Sequence, residues 1–260
     1  MKDGATRLEA LDQASPLRVL FPRVGPDEPP LAALTTVSGG LVGGDRLNVS
    51  IKVSDGARTI AVGQAAEKVY RSSGPESKVD IALRVGAGSW LEWLPQETIL
   101  FDGARLRRRT RIFANARGRI LAGECLVFGR LARGEVMRRG FLCDRWEVRR
   151  DSRLVWADSL VVDGDIPARL DASVGFGGAR ACATVLYVGP NGWDYLDDAR
   201  RLLANIDGVR AGASCVHDVL VARWLSVDPL ALRRSFERYW MELRCLIGDL
   251  PRRLPRLWHI

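Results

Sequence analysis

Three carboxylates stand in a stretch that otherwise reads as buried. Within Leu91 to Ala104 (LEWLPQETILFDGA), Glu92, Glu97 and Asp102 sit among apolar and turn-forming residues. A carboxylate surrounded by apolar surface has to be paired, neutralised or wetted, because burying it uncompensated is costly. Two such acids gathered in one cleft would serve as a general acid and a general base. The plainer arrangement makes Asp102-Gly103 a hairpin turn and turns the glutamates to solvent on alternate positions. Trp90 and the run Thr98–Phe101 predict strands around these acids. Pro95, which cannot donate to a ladder, marks an edge, a bulge or a connection between them.

Other catalytic chemistry is sparse. The only histidines are His217 and His259, and neither CxxC nor HExxH occurs. Cys215 and His217 would share one face of a strand, a geometry open to a soft metal. Two ligands do not make a site, so a buried thiol and a hydrogen-bonded imidazole are expected. No Ser-His-Asp arrangement suggests itself. Gly39-Gly40 and Gly43-Gly44 flank Leu41-Val42 and lead to Asp45, without the spacing of a dinucleotide fingerprint or the Gly-Lys-Ser/Thr of a P-loop. Glycine pairs permit positive φ and close backbone approach. They fit either a bulged turn or a loop packed on a partner or a cavity wall. Gly63 to Gly74 (GQAAEKVYRSSG) clusters Glu67, Tyr70 and Arg71 but holds no nucleophile with its base. Tyr and Arg favour interface hot spots, so these three are candidate partner-binding residues, with an exposed strand end as the alternative.

The elements that must position these groups are mostly strands. Units beginning at Ile51, Ile81, Ile112 and Val148 each run strand, tight Gly or polar turn, strand, then a longer connection. Repeats of about thirty residues stack so that neighbours bury one another's apolar faces. The expectation is a mainly β fold of layered, β-solenoid-like sheets, with a first short strand at Leu17 to Pro22. After about residue 180 the pattern changes. A strand at 181–187 precedes helical spacing at Leu196, Ala199, Leu202, Leu203 and Ile206, then a strand pair within 213–227. Asp228 caps a final helix with Pro229 at its first position and a stripe of Leu232, Phe236, Tyr239, Trp240, Leu243 and Leu246. One domain is expected, with a β-rich body over 17–188 and an α+β portion over 189–260. The Pro-broken basic tail is expected to lie on the surface.

The 260 residues suffice for a substantial core, and 47% hydrophobic with 27% charged content is that of a folded, globular chain. No apolar run approaches the roughly 20 residues of a membrane-spanning helix, and the first residues lack the apolar segment of a signal peptide. Five dispersed cysteines fit free thiols, so a cytoplasmic location is expected. The net charge of +8 rests on arginine, since lysine occurs only at 2, 52, 68 and 78. Arg105, Arg107, Arg109 and Arg111 would form a basic ridge on one strand face. A solvated face is the simpler account; a nucleic-acid-binding β module is the alternative, weakened because no aromatics interleave to stack bases.

Four segments together resemble the urease accessory protein UreD (UreH) family: GGLVGGDRL at 39–47, QAAEKVYRS at 64–72, LEWLPQETILFDGA at 91–104 and LVFGRLARGE at 126–135. The closing LPRLW at 254–258 is similar to the family's end, so the likeness runs in order from about residue 34. Val37-Ser38 and Glu67 depart from the residues more common there. The resemblance implies a mostly β scaffold without catalysis, which joins UreF and the GTPase UreG, docks on apo-urease and helps insert nickel. No tightly bound cofactor is implied. Along a transient oxygen-lined nickel path, Asp45, Glu92, Glu97 and Asp102 are the residues to test.

Overall fold

Alternating apolar positions in successive repeats build two facing sheets. The computed structural model describes residues 5–259. Its strands are β1 (Leu17–Leu20), β2 (Leu31–Thr36), β3 (Arg46–Val53), β4 (Arg58–Gly63), β5 (Glu67–Val69), β6 (Ser77–Val85), β7 (Trp90–Leu94) and β8 (Thr98–Leu100). They continue with β9 (Arg105–Ala114), β10 (Arg119–Phe128), β11 (Arg139–Arg150), β12 (Arg153–Asp165), β13 (Ala181–Val188), β14 (Val209–Val216) and β15 (Val219–Ser226). The helices are α1 (Ile166–Asp171), α2 (Leu196–Leu202) and α3 (Pro229–Gly248).

One sheet orders β12-β11-β9-β6-β3, and the other β1-β2-β4-β7-β10-β13-β15-β14, with β5 and β8 paired alongside β10. The pairs β3–β6, β6–β9, β9–β11, β4–β7 and β7–β10 are all parallel. The units at Ile51, Ile81 and Ile112 thus each contribute one strand to each sheet and stack on the last, the solenoid-like arrangement that the repeat implies. The fourth unit, at Val148, instead folds back as the antiparallel β11–β12 hairpin within the smaller sheet and ends the stack. Ile51, Leu83, Ile112 and Val148 are successive cross-strand neighbours. The second unit therefore aligns on Leu83 rather than Ile81. A shift of two residues preserves the strand face, which is why the repeat was legible despite the offset.

The turns between paired sheets stack too. Gly56 N donates to Ala87 O (2.9 Å) and Gly88 N to Arg117 O (3.1 Å). Asp55 Oδ1 accepts from Ala87 N (2.7 Å), and Asp151 Oδ1 from Ala116 N (3.1 Å). The β14–β15 hairpin extends the larger sheet, so the strands of the last seventy residues continue the body's own layer.

Helix α3 closes the outer side of that larger sheet. Asp228 caps it, accepting from Leu230 N, with Pro229 in the first turn. Leu232, Phe236, Tyr239, Trp240, Leu243 and Ile247 are buried, whereas Leu246 is 43% exposed. Ile247, one turn beyond Leu243, completes the stripe in place of Leu246. The helix seats directly on β10 because Gly123 has no side chain: a Cβ there would lie 2.8 Å from Trp240 and 2.9 Å from Phe236. The tail corrects the surface-lying expectation. Leu254 and Trp258 are buried, and Trp258 stacks on Phe236 with ring centroids 5.5 Å apart. Its indole donates to Leu94 O (3.3 Å), so burial of one large aromatic outweighs the charge around it. Helix α2 is shorter than its spacing suggested, ending at Leu202 before Asn205 takes a positive φ of 54°.

Candidate functional site

Strand alternation sends neighbouring acids to opposite sides of the larger sheet. Glu92 on β7 points towards α3 and is fully buried. Arg244 Nε donates to Glu92 Oε2 (3.0 Å) and its Nη2 to Oε1 (3.0 Å). Two indoles complete the shell, Trp240 at 2.7 Å and Trp90 at 3.2 Å. Arg244 also donates to Glu28 Oε2 (2.6 Å) and to Arg253 O (2.9 Å). One guanidinium thus ties the sheet, α3, the segment before β2 and the tail. Burial works against ionising Glu28, yet Arg244 and Arg253 hold its carboxyl below the usual range.

The other sequence-nominated acids are also engaged. Glu97 pairs with Arg233, which stacks over Trp258 at 4.5 Å. Asp102 does not close a simple hairpin: its Oδ1 accepts from Arg138 N (2.8 Å) and Arg139 N (3.1 Å), and its Oδ2 pairs with Arg71 (2.8 Å). Asp45 Oδ2 accepts from Val42 N (2.9 Å), closing the second glycine turn. Glu92, Glu97 and Asp102 do not converge in one cleft. Among the described residues, no group of three or more His, Cys, Asp or Glu is arranged around a metal position. Cys215 is buried in β14, while His217 sits in the following turn at φ 48° with Nδ1 3.0 Å from Val155 O. That turn separates the two, and they do not share a strand face.

What the sheets do enclose is a cavity of about 270 Å³. Its wall includes Thr36, Gly40, Glu67, Trp93, Arg108 and Glu124. Gly40 belongs to the first glycine pair, and its φ of 144° with a Cβ position 2.6 Å from Lys68 O leaves room for glycine alone. The glycine pairs therefore serve a cavity wall as well as turns. Glu67, nominated as a partner contact, lines the cavity, and its carboxylate accepts from Thr36 Oγ1 (2.8 Å). Burial, with Asp45 nearby, raises its carboxyl above the ordinary value. Tyr70 packs edge-on against Phe101 (4.9 Å), and Arg71 stays largely exposed beside Asp102.

Deeper in, Arg108 points inward from β9 while its neighbours form the outer ridge. It donates to Asp144 Oδ1 (3.0 Å) and Thr98 Oγ1 (3.1 Å), and it also pairs with Glu124. Trp146 Nε1 donates to Glu124 Oε1 (3.0 Å). Two carboxylates against one guanidinium leave one negative charge too many for a buried site. Burial first, then Asp144 alongside, pushes Glu124 well above its ordinary range despite Arg108. Sequence inspection missed this group. Its signal was one arginine of inward parity in the Arg-rich strand, facing Glu124 in the apolar run of β10. Outside, the ridge is locally paired: Arg107 with Glu76 (2.7 Å), Arg109 with Glu147 (2.7 Å) and Arg111 with Asp80 (3.6 Å).

Stacked sheets, acids held in structural networks and a cavity between the sheets define a β-rich protein with buried ion-pair networks. Over residues 1–259 the chain matches the UreD urease accessory protein family, and it belongs to that family. It is 45% identical over 263 residues to the urease accessory protein UreD of Magnetococcus marinus, covering 100% of this chain and 91% of that one. The UreD proteins of Methylobacterium sp. (strain 4-46) and Azorhizobium caulinodans are 42% and 40% identical, each over 98% of this chain. Membership makes the chain an accessory protein of urease. No helix among the described residues is long and apolar enough to cross a membrane.

Proposed function

We propose that the chain is a non-catalytic scaffold of urease maturation, which acts with UreF and the GTPase UreG on apo-urease during GTP-dependent nickel insertion in the cytoplasm. The observation that carries this reading is the match to the accessory family over residues 1–259. Nickel is cargo in this scheme, and no tightly bound cofactor is called for. Nickel is held tightly by nitrogen and sulfur donors, so passage asks for sparse oxygen ligands that release it quickly. The inter-sheet cavity supports such a route, with Glu67 on its wall near Asp45 and Glu124 further along. All four acids first nominated hold partners, Asp45 and Asp102 backbone amides and Glu92 and Glu97 arginines, but Asp45 is near enough to the cavity-lining Glu67 to act on it electrostatically. Glu67, which lines the cavity and accepts from Thr36 Oγ1, therefore joins Asp45 as a route residue to test, while Glu124 is occupied by Arg108 and Trp146.

The test is co-expression of the urease subunits and the other accessory proteins, with and without this chain, reading urease activity and nickel content. Urease that stays empty only when the chain is missing supports the scaffold; equal loading without it refutes the reading. Glu67→Gln in folded protein should then lower nickel content. Undiminished loading with both Asp45→Asn and Glu67→Gln would place the route elsewhere. Glu97→Gln with Asp102→Asn tests the outer acids in the same assay.

A further inference from the structure

The basic ridge of β9 is neutralised by its neighbours, but the positive charge of the smaller sheet is not spread evenly over its outer face. At the end nearest the stacked turns, Lys52, Arg84, Phe113 and Arg149 are laterally adjacent on β3, β6, β9 and β11. They line an open depression of about 660 Å³, together with the turn residues Asp55 and Asp151. Those two acids are held in the turns by Ala87 N and Ala116 N and stay charged at the end of the depression, where Glu9 also accepts from Ser54 Oγ (3.3 Å), so the cations concentrate on the strand side. Among the described residues, Lys52, Arg84 and Arg149 form no ion pair. Arg84 lies over the Phe113 ring at 4.9 Å and reaches Ser50 Oγ only at 3.4 Å. Arg149 donates to the carbonyl of its own turn, Ser152 O (3.1 Å). Three cations thus surround one half-exposed aromatic in a concave site, in contrast to the carboxylate-matched ridge beside them.

We propose that this corner is a docking site for a short acidic segment of a partner protein, which sets carboxylates on Lys52, Arg84 and Arg149 and an apolar side chain against Phe113. Neighbouring strands lie about 4.8 Å apart, so the four-strand row spans roughly 14 Å, the reach of four or five extended residues. A polyanion tracking further along the face meets Asp80 and Glu147, which disfavours a nucleic-acid backbone. A peptide short enough to stay within the corner does not reach those two acids.

The test uses the full chain and a fluorescein-labelled decapeptide of glutamates around one central leucine, followed by fluorescence anisotropy at 50 and 300 mM NaCl. The expected result is binding that weakens with salt and falls at least tenfold in Lys52→Glu with Arg84→Glu. Arg234→Glu with Arg238→Glu, exposed on α3 and carrying the same change in net charge, should stay within twofold of the parent. Phe113→Ala should weaken the leucine-containing peptide but not an all-glutamate one. Equal losses in both double variants would reduce the effect to bulk charge and overturn the site. Absent binding by the parent chain would overturn it as well. So would tighter binding of a 20-base-pair DNA duplex with the same dependence on Lys52 and Arg84, which would make the corner a nucleic-acid contact.

Discussion

Replacing Arg244 by methionine removes the one side chain that joins four parts of the molecule while keeping most of its volume. Glu92 then remains fully buried with two indole donors and no directly bonded cation, Arg58 acting on it only from a distance, and Glu28 keeps only Arg253, at 2.8 Å. Breaking one side of a buried ion pair costs about 3–5 kcal/mol, largely because the other charge is stranded. For a chain of this size roughly 2 °C of melting temperature accompany each kcal/mol, so Arg244→Met should lower Tm by about 6–10 °C. Urea unfolding followed by tryptophan fluorescence is a direct assay, since Trp90 and Trp240 both donate to Glu92. Adding Glu92→Gln removes the stranded charge but keeps an oxygen for the indoles. The double variant should therefore recover roughly 2 kcal/mol relative to Arg244→Met alone. A loss below about 1 kcal/mol in the single variant, or no recovery in the double, would refute the clamp.

Three further outcomes follow from the same geometry. Because Glu124 is raised well above its ordinary value, the folded chain keeps a proton that the unfolded chain has released. Stability should fall as pH rises from the ordinary carboxylate range through the folded value, and Glu124→Gln should flatten that decline in urea midpoints measured from pH 5 to 9. Glu28 has the opposite sign: its lowered value gives stability above the ordinary range that is lost as pH falls through the folded value. Glu28→Gln should remove that part of the acid limb, measured the same way below pH 5. Gly123→Ala places a methyl 2.8 Å from Trp240 and should cost about 1–3 kcal/mol by forcing α3 away from β10, read as a lower Tm with an altered near-ultraviolet tryptophan signal.

Local pattern determined the elements. Period-two apolar alternation, the recurring Gly and polar turns, and the Asp228-Pro229 start are short-range signals, and β3, β6, β9, β11 and α3 form where they stand. The repeat was legible because each unit must bury the face of the next, and a two-residue misalignment leaves that face unchanged. The carboxylates of the central motif were identifiable as unusual for the same reason: their apolar flanks demanded compensation.

Only the tertiary structure decided what compensates them. Glu92 takes Arg244, Glu97 takes Arg233 and Asp102 takes the amides of Arg138 and Arg139, partners 152, 136 and 36 or 37 residues away. Such pairings depend on which sheet face meets which helix, a choice invisible in strand periodicity. The cavity is likewise a property of two sheets facing one another, and it drew Glu67 inward from a segment that reads as surface. Trp258 was buried for a related reason. A charged tail reads as solvated until α3 offers Phe236 as a stacking surface, and the area removed from water then outweighs the cost of bringing its arginines close.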